Sequence, residues 1–323
     1  MAVKILYAGS PEPARRALEI LFNNQSQYDF EIVGVLSNPP SSKGRHKALT
    51  PTPVAAFAIE NNIPVFTPEH LNAEAREAIE PLKVELLVCF AYGHIFGPKF
   101  LGMFPLGGIN LHPSLLPKYR GCTPVNAAIL NRDKETAVTI QTISQAMDEG
   151  DILSQNIIKL DFTETSESLL NNSAEIGAGL ISNILKETSE KNKLPIGKKQ
   201  EGEPSYTSVI TKNDGKIDWN ESAEVIEAKI RGYYPDPSCW CVDKDVTLRI
   251  LKATFISEDD EKAKPFINEE KGKVLSFVKS EGIYIKTSNG ILVVTELQKQ
   301  GKKAMNYKDF MNGARDFIGT VLN

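Results

Sequence analysis

Two polar side chains of complementary chemistry stand two residues apart in the stretch Gly107-Gly108-Ile109-Asn110-Leu111-His112-Pro113. An asparagine amide can donate a hydrogen bond to a developing oxyanion, and an imidazole that titrates near neutrality can stabilise the same oxygen or move a proton. The stretch reads as a short apolar strand bounded by glycines and broken by Pro113 and Pro117, which lack an N–H and disfavour helix in the residue before them. Strand alternation puts Asn110 and His112 on one face and Ile109 and Leu111 on the other, so both polar groups can be aimed at one reacting atom. On spacing alone such a pair is more often a structural hydrogen-bonded couple. A third group follows 36 residues after His112, in the turn Asp148-Glu149-Gly150-Asp151. Two acids beside a glycine usually make a solvated turn, and Asp151 reads as structural.

The elements around these residues alternate between strand and helix signals. Val3 to Ala8 is a continuous apolar run, the pattern of a strand buried on both faces. Gly9-Ser10-Pro11 then turns the chain into an apolar-faced helix. Strands are expected over 31–37, 64–66, 85–90, 137–143 and 152–160, and helices over 52–61, 72–80 and 166–185. Such βαβ units give a mostly parallel, Rossmann-like sheet whose ligands bind beyond the carboxyl ends of the strands. Neither Gly-x-Gly-x-x-Gly nor a P-loop follows the first strand, so no dinucleotide site is expected. Residues 38–47 read as a loop of breakers and positive charge.

Periodicity fades near Lys186, where lysines mix with Gly197, Gly202, Pro195 and Pro204. We therefore expect residues 1–187 to form one domain, 188–205 a linker and 206–323 a second, smaller domain. After a helix capped near Ser222, strands expected at 239–242, 246–255, 272–278, 282–287 and 290–297 suggest a small antiparallel, OB-like barrel. From Lys212 to Asn323 there are 18 basic and 18 acidic residues, against a net charge of −4 for the 323-residue chain. That balance supplies no global attraction for a polyanion, so any nucleic-acid contact must come from local basic patches. The four histidines are scattered, and Cys89, Cys122, Cys239 and Cys241 show no Cys-x-x-Cys spacing. No metal is expected, and the thiols, Cys122 included, read as buried or semi-buried and reduced. No apolar run approaches the ~20 residues of a membrane span, and no signal-peptide pattern opens the chain, so a cytoplasmic protein without a membrane partner is expected.

The ordered run Asn110-Leu111-His112-Pro113-Ser114-Leu115-Leu116-Pro117-Lys118-Tyr119-Arg120-Gly121, with Asp148 and Asp151 behind it, resembles the signature of the folate-dependent formyltransferases. The resemblance covers the chain nearly end to end, including Lys216-Ile217-Asp218-Trp219 and Ile230-Arg231-Gly232-Tyr233-Tyr234-Pro235. It implies transfer of a formyl group from 10-formyltetrahydrofolate to an amine, with Asn110, His112 and Asp148 as the catalytic residues and no metal. Phe90, Ala91, Tyr92, Gly93 and Ile95 would line the folate pocket together with Ser114, Leu115, Leu116 and Pro117. The two-domain length is similar to the branch of the family whose acceptor is the α-amine of initiator methionyl-tRNA. In that branch a basic loop meets the acceptor stem, which implies tRNA contacts at Lys43, Arg45 and Lys47. Ala48 stands where a second consecutive lysine is often found. Lys212, Lys302 and Lys303 complete the expected tRNA contacts, and a monomer is the expected state. Alternatives remain at this stage: a small or sugar-nucleotide amine as acceptor, hydrolysis with water as acceptor, or a non-catalytic RNA-binding protein.

Overall fold

The computed structural model describes residues 2–43 and 48–323. The chain divides into two compact units, the first built from Met1–Pro124, Glu135–Lys159 and Leu170–Ser208, the second from Val125–Lys134, Leu160–Leu169 and Val209–Asn323.

The first unit is organised by a seven-stranded sheet. Its strands are β1 (Val3–Ala8), β2 (Phe30–Leu36), β3 (Val65–Phe66), β4 (Leu86–Cys89), β5 (Gly108–His112), β6 (Glu135–Thr142) and β7 (Ile152–Lys159), in spatial order β7-β6-β5-β4-β1-β2-β3. The β5–β4–β1–β2–β3 portion is parallel, while β6 pairs antiparallel with both of its neighbours, β5 and the edge strand β7, so the mostly parallel α/β sheet expected from the sequence is present. Helix α1 (Glu12–Tyr28) starts on Pro11 and ends on Asp29 in the left-handed conformation; α2 (Pro53–Glu60) is capped by Thr52, whose hydroxyl accepts from the Ala55 N–H.

Helix α3 (Ser166–Lys191) runs six residues past the Leu185 end expected from apolar periodicity. Nothing in Lys186–Lys191 breaks a helix, and a Glu187–Lys191 pair at 2.7 Å supports its last turn. Ala174, Ala178, Ile181 and Leu185 on this helix are buried in one core with Leu111, Val138 and Ile140 of the sheet. A second correction falls in the basic segment: Ser41–Lys43 and Ala48–Thr50 pair antiparallel, Ser41 facing Thr50, where the sequence suggested only loop.

The second unit carries an antiparallel sheet of β8 (Cys239–Asp243), β9 (Val246–Ile256), β10 (Val274–Val278), β11 (Gly282–Lys286) and β12 (Ile291–Lys299), in order β8-β9-β12-β11-β10. The expected antiparallel β domain is therefore present, each strand within about two or three residues of its expected bounds. Helix α4 (Ala223–Gly232) is capped by Ser222 and packs Ile226 and Ile230 into a core with Ile250, Leu292 and Phe310. Segments 125–134 and 160–169 join this unit: Asn126 and Ser166 both donate to the Gly232 carbonyl, and the Arg132 guanidinium lies 4.9 Å from the Phe162 ring and 5.6 Å from that of Phe255. Among the described residues no helix is long and apolar enough to cross a membrane.

All four cysteines are free; Cys89, Cys239 and Cys241 are buried and Cys122 is exposed, which corrects the expectation for Cys122. Burial pushes the Cys89 thiol up to about 12. A maleimide at neutral pH is therefore expected to label one thiol per native chain, and peptide mapping should place it on Cys122. Rapid native labelling of Cys89 would contradict this packing.

Candidate active site

Strand β5 ends the parallel run and meets antiparallel β6, with Asn110 opposite Gln141 on one side and Cys89 on the other, and His112 opposite Thr139. His112 is 3% exposed. Its Nε2 lies 2.9 Å from the Tyr119 carbonyl oxygen. A carbonyl only accepts, so Nε2 carries the proton and Nδ1 bears the lone pair of the neutral ring. Nδ1 faces Asp148 Oδ2 at 3.6 Å, too far for a hydrogen bond and close enough for strong charge coupling.

Asp148 itself is held from three sides. The Gly121 N–H donates to Oδ2 at 2.8 Å, while Gln141 Nε2 at 2.9 Å and Asn110 Nδ2 at 3.4 Å donate to Oδ1. The three residues expected to be catalytic, 38 positions apart at the extremes, thus converge at one place. Asp148 adopts φ 54, the left-handed region, which aspartate tolerates better than most residues. Two glycines make its position possible. Gly121 has φ +108 and sits where a Cβ would meet the Thr207 carbonyl oxygen at 2.7 Å; a Cβ on Gly150 would come within 1.6 Å of the Thr142 carbonyl oxygen. Gly150→Ala is expected to cost about 3 kcal/mol or more of stability, since backbone cannot yield as a side-chain tip can. Chemical denaturation with an unchanged midpoint would show that the turn closes differently.

Burial lowers the His112 pKa from its ordinary 6.5, with the Asp148 charge and the Tyr119 carbonyl opposing that shift. The ring is neutral at neutral pH. The unfolded chain binds this proton near 6.5 and the folded chain does not, so this group withdraws stability as pH falls below 6.5. An NMR titration of the ring is expected to give a midpoint below 6.5, and a lower one still in Asp148→Asn, which removes a charge that raises it. A midpoint at or above 6.5 in the native protein would contradict this environment.

The residues expected around a folate leave the carboxyl ends of adjacent strands β4 and β5. Ala91, Gly93 and Ile95 are exposed, Ile95 at 79%, whereas Phe90 and Tyr92 are buried, Tyr92 stacked on Phe96 at 5.5 Å. Leu115 and Pro117 are half-buried and Leu116 is buried. Ser114 is fully buried, its hydroxyl donating to the Lys118 carbonyl at 2.6 Å, so it shapes the loop from below. Lys212, Lys302 and Lys303 are exposed in the second unit; Lys43 ends its short strand, and Arg45 and Lys47 lie outside the described residues. No group of three or more His, Cys, Asp or Glu side chains among the described residues is arranged to hold a metal.

Two partners of this cluster, Gln141 and Gln200, were not among the expected site residues. Gln141 is buried at 1% exposure, and Gln200, in the stretch expected as a linker, reaches the Asp148 turn. Gln141 was within reach of sequence reasoning, because strand alternation on β6 places it on a definite face. Gln200 was not, because irregular chain has no periodicity to read.

A cluster that joins a donor amide, a neutral buried imidazole and a carboxylate at the carboxyl end of a parallel sheet suits acyl transfer to a nucleophile. The chain belongs to the formyl transferase family: residues 2–185 match the formyl transferase domain and residues 209–315 the formyl transferase C-terminal domain. It is 43% identical over 98% of both chains to methionyl-tRNA formyltransferase of Treponema denticola, and 35% identical to that of Dictyoglomus thermophilum over 98% of this chain and 99% of the other. Among solved structures, methionyl-tRNA formyltransferase from Clostridium thermocellum shares the fold at TM-score 0.56 and 17% identity, covering 80% of this chain and 95% of that one. HypX from Aquifex aeolicus shares it at TM-score 0.66 and 14% identity over 98% of this chain and 48% of that one.

Proposed function

We propose that this chain transfers the formyl group of 10-formyltetrahydrofolate to the α-amine of methionyl-initiator-tRNA. The observation that carries this reading is the likeness to methionyl-tRNA formyltransferases through both units, at 43% identity over 98% of the chain, with Asn110 and His112 each lying against the Asp148 carboxylate. The amine nitrogen attacks the formyl carbon, the carbonyl electrons move onto oxygen, and collapse of the tetrahedral intermediate breaks the bond to N10 of the folate. One proton leaves the amine and one arrives at N10.

Asn110 Nδ2 donates to the oxyanion. Its bond to Asp148 is long at 3.4 Å, so little is given up when the amide turns to a developing charge. His112, with Nε2–H held by Tyr119, keeps Nδ1 for the proton that the amine releases, and Asp148 stabilises the imidazolium then formed. The folate lies against the exits of β4 and β5, on Ala91, Gly93, Ile95, Leu115 and Pro117, with Phe90, Tyr92, Ser114 and Leu116 forming the wall behind. Residues 206–323 are the tRNA-binding domain, and Lys43, Arg45, Lys47, Lys212, Lys302 and Lys303 contact tRNA. The enzyme works as a cytoplasmic monomer.

The decisive assay offers labelled 10-formyltetrahydrofolate with initiator Met-tRNA, elongator Met-tRNA, free amines and water alone. Label on initiator Met-tRNA is expected. Formate release alone would make the protein a hydrolase, and label on a small or sugar-nucleotide amine in preference to Met-tRNA would move the acceptor.

A further inference from the structure

Gln200 stands in irregular chain, yet its amide is bound at every side. Nε2 lies 2.7 Å from the Asp148 carbonyl oxygen, 2.9 Å from that of Gly150 and 3.2 Å from Gln141 Oε1. Oε1 accepts from Arg120 Nε at 3.1 Å and Nη2 at 2.9 Å. A guanidinium can only donate, so the amide's orientation is determined: oxygen towards Arg120, N–H groups towards the turn. Arg120 is 9% exposed and spends Nη1 on Glu149 at 2.7 Å and the Tyr206 hydroxyl at 2.9 Å. The amide therefore ties together the Asp148 and Gly150 carbonyls of the turn that holds Asp148 in a left-handed conformation, where backbone must be held from outside. It also reaches Gln141, which donates to Asp148 Oδ1.

The same segment secures the other partner of the reacting groups. Ser205 accepts from the Tyr119 N–H through its hydroxyl at 2.9 Å and from the Arg120 N–H through its carbonyl at 2.8 Å. Tyr119 in turn presents its carbonyl to His112.

We propose that Gln200 is a positioning residue for formyl transfer: its amide, oriented by Arg120, holds the Asp148 turn and Gln141 so that the Asp148 carboxylate meets His112 and Asn110. This rests on the reading of Asn110, His112 and Asp148 as the reacting groups. It requires the two N–H donors, beyond the volume of the side chain.

The test uses the full-length enzyme with Gln200→Ala, Gln200→Glu, Asp148→Asn and the double variant Gln200→Ala/Asp148→Asn, measuring kcat, KM for each substrate and the thermal midpoint. A loss of kcat of about 30-fold is expected in both Gln200 variants, because misplacement by an ångström can cost that order. KM should stay within about twofold, and the double variant should be no slower than Asp148→Asn alone, because one group acts through the other. Multiplying losses, a change confined to KM, or full activity in Gln200→Glu would overturn the proposal. The ring ¹⁵N shifts of His112 supply a readout independent of the acceptor. They are expected to move in Gln200→Ala towards those of Asp148→Asn, and unchanged shifts would overturn the proposal. If the wild-type enzyme fails to formylate Met-tRNA while those shifts still move, it is the acceptor reading that fails.

Discussion

Asp148→Asn is expected to lower kcat for formyl transfer by about 10³-fold, roughly 4 kcal/mol of transition-state stabilisation, with KM little changed. The size follows from the geometry. Each carboxylate oxygen accepts from protein donors, Oδ2 from the Gly121 N–H and Oδ1 from Gln141 and Asn110, while Oδ2 also lies 3.6 Å from the imidazole Nδ1. An asparagine keeps the shape but turns one oxygen into an N–H donor, which must then face a donor already in place. It also removes the charge that would stabilise an imidazolium. Steady-state kinetics on folded protein, verified by circular dichroism, check this. Retention of more than a tenth of the wild-type kcat would remove Asp148 from the proton-handling role.

Asn110→Ala is the second large effect, a fall in kcat of about 10²- to 10³-fold, the range found when a single oxyanion donor is deleted. Stability should change by less than about 1 kcal/mol, because among the described residues the amide nitrogen of Asn110 donates only the long 3.4 Å contact to Asp148. A variant that loses activity and stability together would place Asn110 among the structural residues. One that raises KM for the folate with kcat intact would make it a binding group.

The parallel sheet was legible because its strands are continuous apolar runs, such as Val3 to Ala8, with few competing patterns. The antiparallel domain was legible from closely spaced strands between glycine and aspartate turns. The sequence hides the end of α3 because Lys186–Lys191 is polar all round, so that even its buried member, Thr188, leaves no apolar period to read. Cys122 was misplaced because burial of a lone residue in a loop depends on its neighbours in space, which the chain does not list in order.

By itself the sequence determined the pairing of Asn110 with His112, since alternation on a five-residue strand leaves one choice of face, and it offered Asp148 through the order of the motif. Only the tertiary structure decided that the Asp148 carboxylate reaches both, because a separation of 38 positions is closed by the pairing of β5 with β6 and by two glycines that permit close backbone approach. It also decided which nitrogen of His112 is committed, through a carbonyl seven residues away, and it brought Gln200 from irregular chain onto the turn. Those contacts are set by hydrogen-bond direction and burial across sequence-distant segments, properties that no local pattern of residues carries.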